Sequence, residues 1–199
     1  MAPKPQFTRN DIIDASFTVV RRTGWEGLSA RTVANELKAS TRPIYDHLKS
    51  MQKIEEEVYK KALAFFVDYI SQERTGDKWL DQALGYVLFA NKEKHLFRCL
   101  NDARYIHFQK QFAKDHWVRL GEQLSDDERF QGLPEKVSNR IRFVRWIFVH
   151  GLASLVNSGR YAILESEKPS VLLALEETGI DLTSMLKKAN QGLYEEFKT

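Results

Sequence analysis

The chain has 199 residues, of which 43% are hydrophobic and 12% aromatic, with a formal net charge of +3. That is enough apolar material for a sizeable core, while five prolines and ten glycines are too few for a loop-rich or all-β protein. The single cysteine, Cys99, excludes an intramolecular disulfide and a cysteine-rich zinc site, and no apolar run approaches the ~18 residues of a membrane span.

The charge is unevenly placed. Residues 1–53 carry 9 Lys/Arg against 5 Asp/Glu, whereas the remainder carries 21 against 22. The positive excess therefore sits in the first quarter of the chain, as a phosphate-facing surface requires. The opening MAPKPQF lacks the apolar core of a signal peptide, so a cytoplasmic location is expected. With its two prolines it reads as a mobile arm.

Thr8 opens the first helix, with Asp11 completing a short capping box. Ile12, Ala15, Phe17, Val19 and Val20 supply the buried side, and Gly24 is a good stop. Trp25 and Leu28 then plug a small three-helix core. Ser29 is a plausible N-cap for a second helix in which Val33, Ala34 and Leu37 share one face. Ser40 offers another cap, and Pro43 fits the first turn of the helix that follows, where its missing N–H costs nothing. That helix turns Ile44 and Leu48 inward and leaves Thr41, Arg42, Tyr45, Asp46, His47 and Lys49 outside. Its outer groups are the donor types that bind phosphates and base edges. Two short helices and a tight turn of this kind fit a helix-turn-helix, the second helix entering the major groove. The plain alternative is an ordinary bundle whose polar face meets water.

A longer helix is expected from Met51 to about Arg74, with Ile54, Val58, Leu63, Phe66 and Ile70 on one side and Glu55 to Glu57 suiting its positive end. Asp77 should cap a helix from Lys78 to about Asn91. Helices over about 94–109 and 110–124 follow, then loops at 125–127 and 131–134. A strong helix spans Glu135 to Ser158, with Val137, Ile141, Val144, Phe148, Leu152 and Leu155 apolar, and Gly159 ends it. SVLLALEET gives another helix. The last runs from Leu182 to Phe197, with Met185, Leu186, Ala189, Leu193 and Phe197 on a stripe. The fold class is therefore all-α. The division expected is a helix-turn-helix domain at 1–53 and a helical domain at 54–199, joined along one helix.

The stretch TGWEGLSARTVANELKASTRPIYDHLKSMQKI resembles the N-terminal DNA-binding segment of the tetracycline-repressor (TetR) family of transcription regulators. The matching features are Gly24-Trp25, Ser29, Val33-Ala34, Ser40, Ile44-Tyr45 and His47-Leu48. Lys38 stands where a turn glycine is common in that family. Met51 stands where a lysine is usual, so that lysine's phosphate contact passes to Lys49 or Lys53. The resemblance covers about Thr8 to Val58. It implies a homodimeric repressor on a palindromic operator, released by a small-molecule effector. Thr41, Arg42 and Pro43 would then read bases, with Ser29, Arg31, Ser40, Tyr45, His47 and Lys49 completing the DNA surface. Trp146, Phe148, Gly151, Leu152 and Leu155, with Met185, Leu186 and Leu193, would form the dimer interface. An aromatic segment with polar anchors, Phe66, Tyr69, Tyr86, Phe89, Arg98, Asn101, Tyr105, Phe108 and Trp117, has the composition of an effector pocket. The same aromatics also serve as core fillers.

Catalysis and metals find less support. His95, Cys99 and Asp102 fall at i, i+4 and i+7 and could converge on a transition metal, but Leu96, Leu100, Ala103 and Ile106 share the helix and favour packing. There is no glycine-rich phosphate loop, HExxH or GxSxG. His150 reads as packed or interfacial. No cofactor, metal or enzymatic activity is expected. The competing reading is a helical ligand-binding or scaffold protein that does not bind DNA.

Overall fold

The computed structural model describes residues 7–160 and 182–198. The expected helix over SVLLALEET and the N-terminal arm up to residue 6 lie outside them. Among the described residues there are nine α-helices and no strand: α1 (Arg9–Thr23), α2 (Ala30–Glu36), α3 (Arg42–Leu48), α4 (Met51–Ile70), α5 (Lys78–Lys92), α6 (Lys94–Leu100), α7 (Ile106–Glu122), α8 (Glu135–Asn157) and α9 (Leu182–Phe197). Short 3-10 turns cover Trp25–Gly27 and Ala103–Tyr105. No described helix is long and apolar enough to cross a membrane.

The chain forms two compact units. The first contains residues 1–65 and 95–115, the second residues 66–94 and 116–199. Unit 1 therefore takes in more than the segment 1–53. Its start follows the local chemistry closely. Thr8 caps α1, its hydroxyl accepting from the Asp11 N–H while the Asp11 carboxylate accepts from the Thr8 N–H at 2.7 Å. Gly24 ends the helix at φ +77°, and a Cβ there would also lie 2.9 Å from Glu26 Oε2, so only glycine suits the position. Ile12, Val19, Val20, Val33, Ile44 and Leu48 make a dry core between α1, α2 and α3. Helices of seven residues cannot persist alone, so this burial is what holds α2 and α3.

Residues 95–115 complete unit 1. Trp25 is buried; its indole N–H donates to the Cys99 carbonyl at 3.2 Å and its ring lies 4.6 Å from that of Tyr105. Tyr59 on α4 meets the Phe108 ring at 5.5 Å and donates to the Leu100 carbonyl. Burial pushes the Tyr59 phenol up to about 12. Arg104 clasps Asp102 and reaches Glu26 at 3.0 Å.

Two expected boundaries move, each for a polar reason. α4 ends at Ile70 instead of Arg74, because the buried Asp81 carboxylate of α5 accepts from the N–H groups of Arg74 and Thr75 and from the Thr75 hydroxyl. The break expected near 109 falls at 101–105, where the Asp102 side chain accepts from the Arg104 N–H and leaves the helix. Asp102 thereby lies outside α6, the helix that carries His95 and Cys99, and among the described residues no group of these side chains is placed to hold a metal. Cys99 is buried, which raises its thiol to about 12. α5 begins as expected, with Asp77 accepting from the Leu80 N–H.

In unit 2, α5, α8 and α9 pack together, with Trp79, Leu124 and Ile141 central and Phe130, Leu133, Val137, Tyr194 and Phe197 against them. Gly85 lets α4 approach α5, since a Cβ there would sit 2.7 Å from the Ile70 Cα. The orientation of α8 differs from its apolar stripe. Its buried residues are Ile141, Arg142, Arg145, Val149, Ala153, Val156 and Asn157. Phe143, Ile147 and Phe148 are 52%, 53% and 39% exposed. Hydrogen bonds explain the rotation: Asn157 donates to the Ala90 and Lys94 carbonyls, and Arg145 to α5.

Candidate nucleic-acid interface

α2 is anchored by its cap. The Ser29 hydroxyl accepts from the Thr32 N–H at 3.1 Å, and Thr32 Oγ1 accepts in return from the Ser29 N–H. Arg22 pairs with Glu36 at 2.9 Å and ties α1 to α2. Ser29 is thus engaged in holding the helix, while Arg31 in its first turn is exposed. The chain reverses after α2 through Leu37 to Ala39. Lys38 takes φ +53°, the left-handed conformation for which glycine is better suited. The glycine-favouring geometry is therefore present with a lysine in it.

α3 starts one residue later than Ser40 suggests. Its N-cap is Thr41, whose side chain makes no capping bond, and Pro43 lies in the first turn. Ser40 is exposed in the turn. Ile44 and Leu48 are 0% and 2% exposed and pin the helix to the core. Opposite them, Thr41, Arg42, Tyr45, Asp46 and Lys49 are exposed, with Pro43 and His47 half-buried. Arg42 makes only a long 3.9 Å contact with Asp46. Lys49 closes α3 at φ +52°. Lys53, the other residue expected to reach phosphate in place of Met51, is held by Glu56 at 2.7 Å and Glu57 at 3.5 Å. Sequence reasoning misses the cap of α4: the Ser50 hydroxyl accepts from the Lys53 N–H, a serine directly before Met51 being its signal.

The aromatic residues nominated for an effector pocket divide between the units. Phe66, Tyr69, Tyr86 and Phe89 cluster in unit 2, with Phe89 5.0 Å from Phe66 and 5.5 Å from Tyr69, and Tyr86 5.1 Å from Phe66. Tyr86 also meets His150 Nδ1 at 2.8 Å. Trp117 lies in unit 2 beneath the Arg142 guanidinium. Arg98, Asn101, Tyr105 and Phe108 belong to unit 1, where Asn101 donates to the Phe97 carbonyl and Tyr105 stacks on Phe108 at 5.8 Å.

Of the residues nominated for the dimer interface, Phe148 and Gly151 are exposed, and Trp146, Leu152, Leu155, Met185 and Leu193 are half-buried. Leu186 is fully buried within the chain and is core. A Cβ added at Gly151 meets nothing within 4 Å. Phe143 and Ile147 extend the same outward face; sequence reasoning passes over them because apolar spacing turns their neighbours inward.

No family model matches the chain, and no curated protein does. Solved structures do share its fold. A protein of unknown function from Rhodococcus sp. RHA1 superposes with a TM-score of 0.64 at 15% identity, over 100% of both chains. The apo form of ActR from Streptomyces coelicolor gives 0.52 at 18% identity, over 99% of this chain and 96% of that one. A protein assigned to the TetR family of transcriptional regulators, from Vibrio parahaemolyticus, gives 0.50 at 18% identity, over 85% and 94%. The all-α architecture is thus one found among TetR-type regulators.

Proposed function

We propose that the chain is a DNA-binding transcription regulator that acts as a two-fold dimer, with DNA recognition in about residues 1–53 and ligand response in about residues 54–199. The observation carrying this reading is α3: a short helix anchored by Ile44 and Leu48 that presents Thr41, Arg42, Tyr45 and Lys49 outward. Its arginine is almost free of intramolecular ties, which suits a base-reading role. The fold shared with a TetR-type regulator supports the same reading.

One seven-residue helix reads few base pairs, so two copies are needed on a palindromic operator. The outward Phe143, Ile147, Phe148 and Gly151 of α8, with Leu152, Leu155 and the half-buried Met185 and Leu193 of α9, offer a self-complementary surface for that pairing. The default action is repression, the dimer covering its operator until an effector favours a head spacing that no longer fits DNA. The ring cluster of Phe66, Tyr69, Tyr86 and Phe89 supplies an apolar wall for such an effector. A cytoplasmic location and the absence of catalysis accompany this reading.

The test is binding of the full chain to a genomic fragment bearing its own promoter, across a salt series, against random duplex of equal length. Two protomers per site, tighter binding to the promoter and a steep salt slope are expected. Equal, weak binding to the promoter, random duplex and a pooled genomic library would overturn the proposal.

A further inference from the structure

The inner face of α8 carries charge where periodicity expects hydrocarbon. Arg142 and Arg145 sit one turn apart and are 8% and 9% exposed. Each guanidinium lies over an indole, Arg145 at 3.3 Å from the centre of Trp79 and Arg142 at 4.3 Å from that of Trp117. Arg145 donates to the Trp79 carbonyl and, at 3.1 Å, to Gln82 Oε1. Arg142 donates to the Trp117 carbonyl and, at 3.1 Å, to Asn139 Oδ1. All four acceptors are neutral.

Taking a cation out of water without an anionic partner is unfavourable, because nothing replaces the lost hydration in kind. The carboxylates of this unit that approach the same elements are already engaged. Asp77 and Asp127 each hold Arg129 at 2.6 Å, and Asp81 serves the turn at Arg74 and Thr75. Burial, reinforced by Arg142, holds the Arg145 guanidinium well below its ordinary value.

Further buried polar groups belong to the same unit. Among the described residues, Trp79 Nε1 has no hydrogen-bond partner, and Asn190 on α9, 3% exposed, has none for either side-chain atom. Asn190 is one turn from Tyr194, which packs on the Trp79, Leu124 and Ile141 cluster, so α9 brings its carboxamide to the side of the bundle that holds Trp79. Gly121 keeps room for the arginine, since a Cβ there would meet Arg142 Nη1 at 2.4 Å.

We propose that Arg142 and Arg145, with the Trp79 and Asn190 N–H donors, form a binding site for the carboxylate of an apolar organic acid. Guanidinium forks match a planar carboxylate, and the surrounding Trp117, Leu124, Phe130 and Ile141 side chains suit a hydrocarbon body. The site lies within unit 2, and its occupancy is measurable whether or not the chain binds DNA.

The test uses the full chain, calorimetric titration and thermal melts at constant ionic strength. The probes are hexanoate and benzoate, their neutral amides, and inorganic phosphate. The acids should bind about tenfold or more tightly than the amides, as hydrogen bonds to charged groups imply, and raise Tm, whereas phosphate should do neither. Arg145→Met should keep its helix content and lose the preference for acid over amide. Should that variant fail to fold, Asn190→Leu decides, with a severalfold loss of acid affinity expected. No acid binding at millimolar concentration, equal binding of acid and amide, phosphate binding as tight as the acids, a retained preference in Arg145→Met, or unchanged affinity in Asn190→Leu would overturn the assignment.

Discussion

Arg42 is where recognition can be separated from folding. Its side chain is 89% exposed, and Asp46 lies 3.9 Å from it at i+4. An exposed helical pair of that kind contributes about 0.5 kcal/mol or less, so Arg42→Ala should move Tm by about 2 °C or less in a chain of this size. The expected effect on DNA is far larger. A bidentate arginine–guanine contact discriminates by ~1–3 kcal/mol, and a two-fold complex makes it twice. The loss on the operator is then ~2–6 kcal/mol, a factor of about 30 to about 20,000. Lys49→Ala provides the contrast. A lysine on a phosphate carries no sequence information, so its removal should weaken operator and random duplex alike and lower the salt slope by about 0.9 for each phosphate no longer neutralised. Fluorescence anisotropy titrations of both variants on both duplexes, over a salt series, measure the difference. Arg42→Ala binding the operator as tightly as the parent, or weakening by the same factor on random DNA, would refute the assignment of Arg42 to base reading.

Gly85→Ala should destabilise unit 2 by ~1–3 kcal/mol, because the new methyl meets backbone at Ile70 and neither helix can yield cheaply; an unchanged melting curve would show that α4 and α5 do not approach as described. Burial holds the His150 imidazole below its ordinary pKa, with the Tyr86 hydroxyl 2.8 Å from its Nδ1. The unfolded histidine, with a pKa near 6.5, protonates first as pH falls, so this stabilisation is present above about pH 6.5 and is lost as pH drops through the folded value. The parent's Tm should therefore fall more steeply between about pH 7 and about pH 5 than that of His150→Gln, and parallel curves would count against it. Phe148→Glu, on the outward face of α8, should convert the proposed dimer to monomer in sedimentation velocity while leaving helix content intact; a variant that sediments like the parent removes this face from the proposed interface.

The helix ends were legible where one side chain serves the nearest backbone. Thr8 with Asp11, Ser29 and Asp77 each bond to an N–H three residues on, and Gly24 takes a conformation other residues avoid. The anchoring of α3 was equally legible, since Ile44 and Leu48 are four residues apart and both buried. What escaped was decided by distant polar partners. Asp81 shortens α4 from a position seven residues beyond Arg74. Arg142, Arg145 and Asn157 take the inner face of α8 through acceptors on other helices, and no reading of apolar spacing assigns a buried arginine inward. The same rotation turned Phe143 and Ile147 outward. Closer to hand, Thr32 occupies Ser29, and Glu56 and Glu57 claim Lys53, from three or four residues away.

Unit 1 is discontinuous, and that has a consequence for anyone who would cut or graft this protein. The chain leaves the unit at residue 65, re-enters it at 95 and leaves again at 115, so all three crossings fall inside helices, in α4, α6 and α7. A fragment ending at residue 53 would strip the indole of Trp25 of its carbonyl acceptor at Cys99 and of its ring neighbour Tyr105. One ending at 65 would also strand Tyr59, whose ring and hydroxyl are covered by Phe108 and Leu100. Unit 1 is therefore not a transplantable cassette. A chimera built from its first segment must carry residues 95–115 along with it, and evolution working by recombination of contiguous segments faces the same constraint.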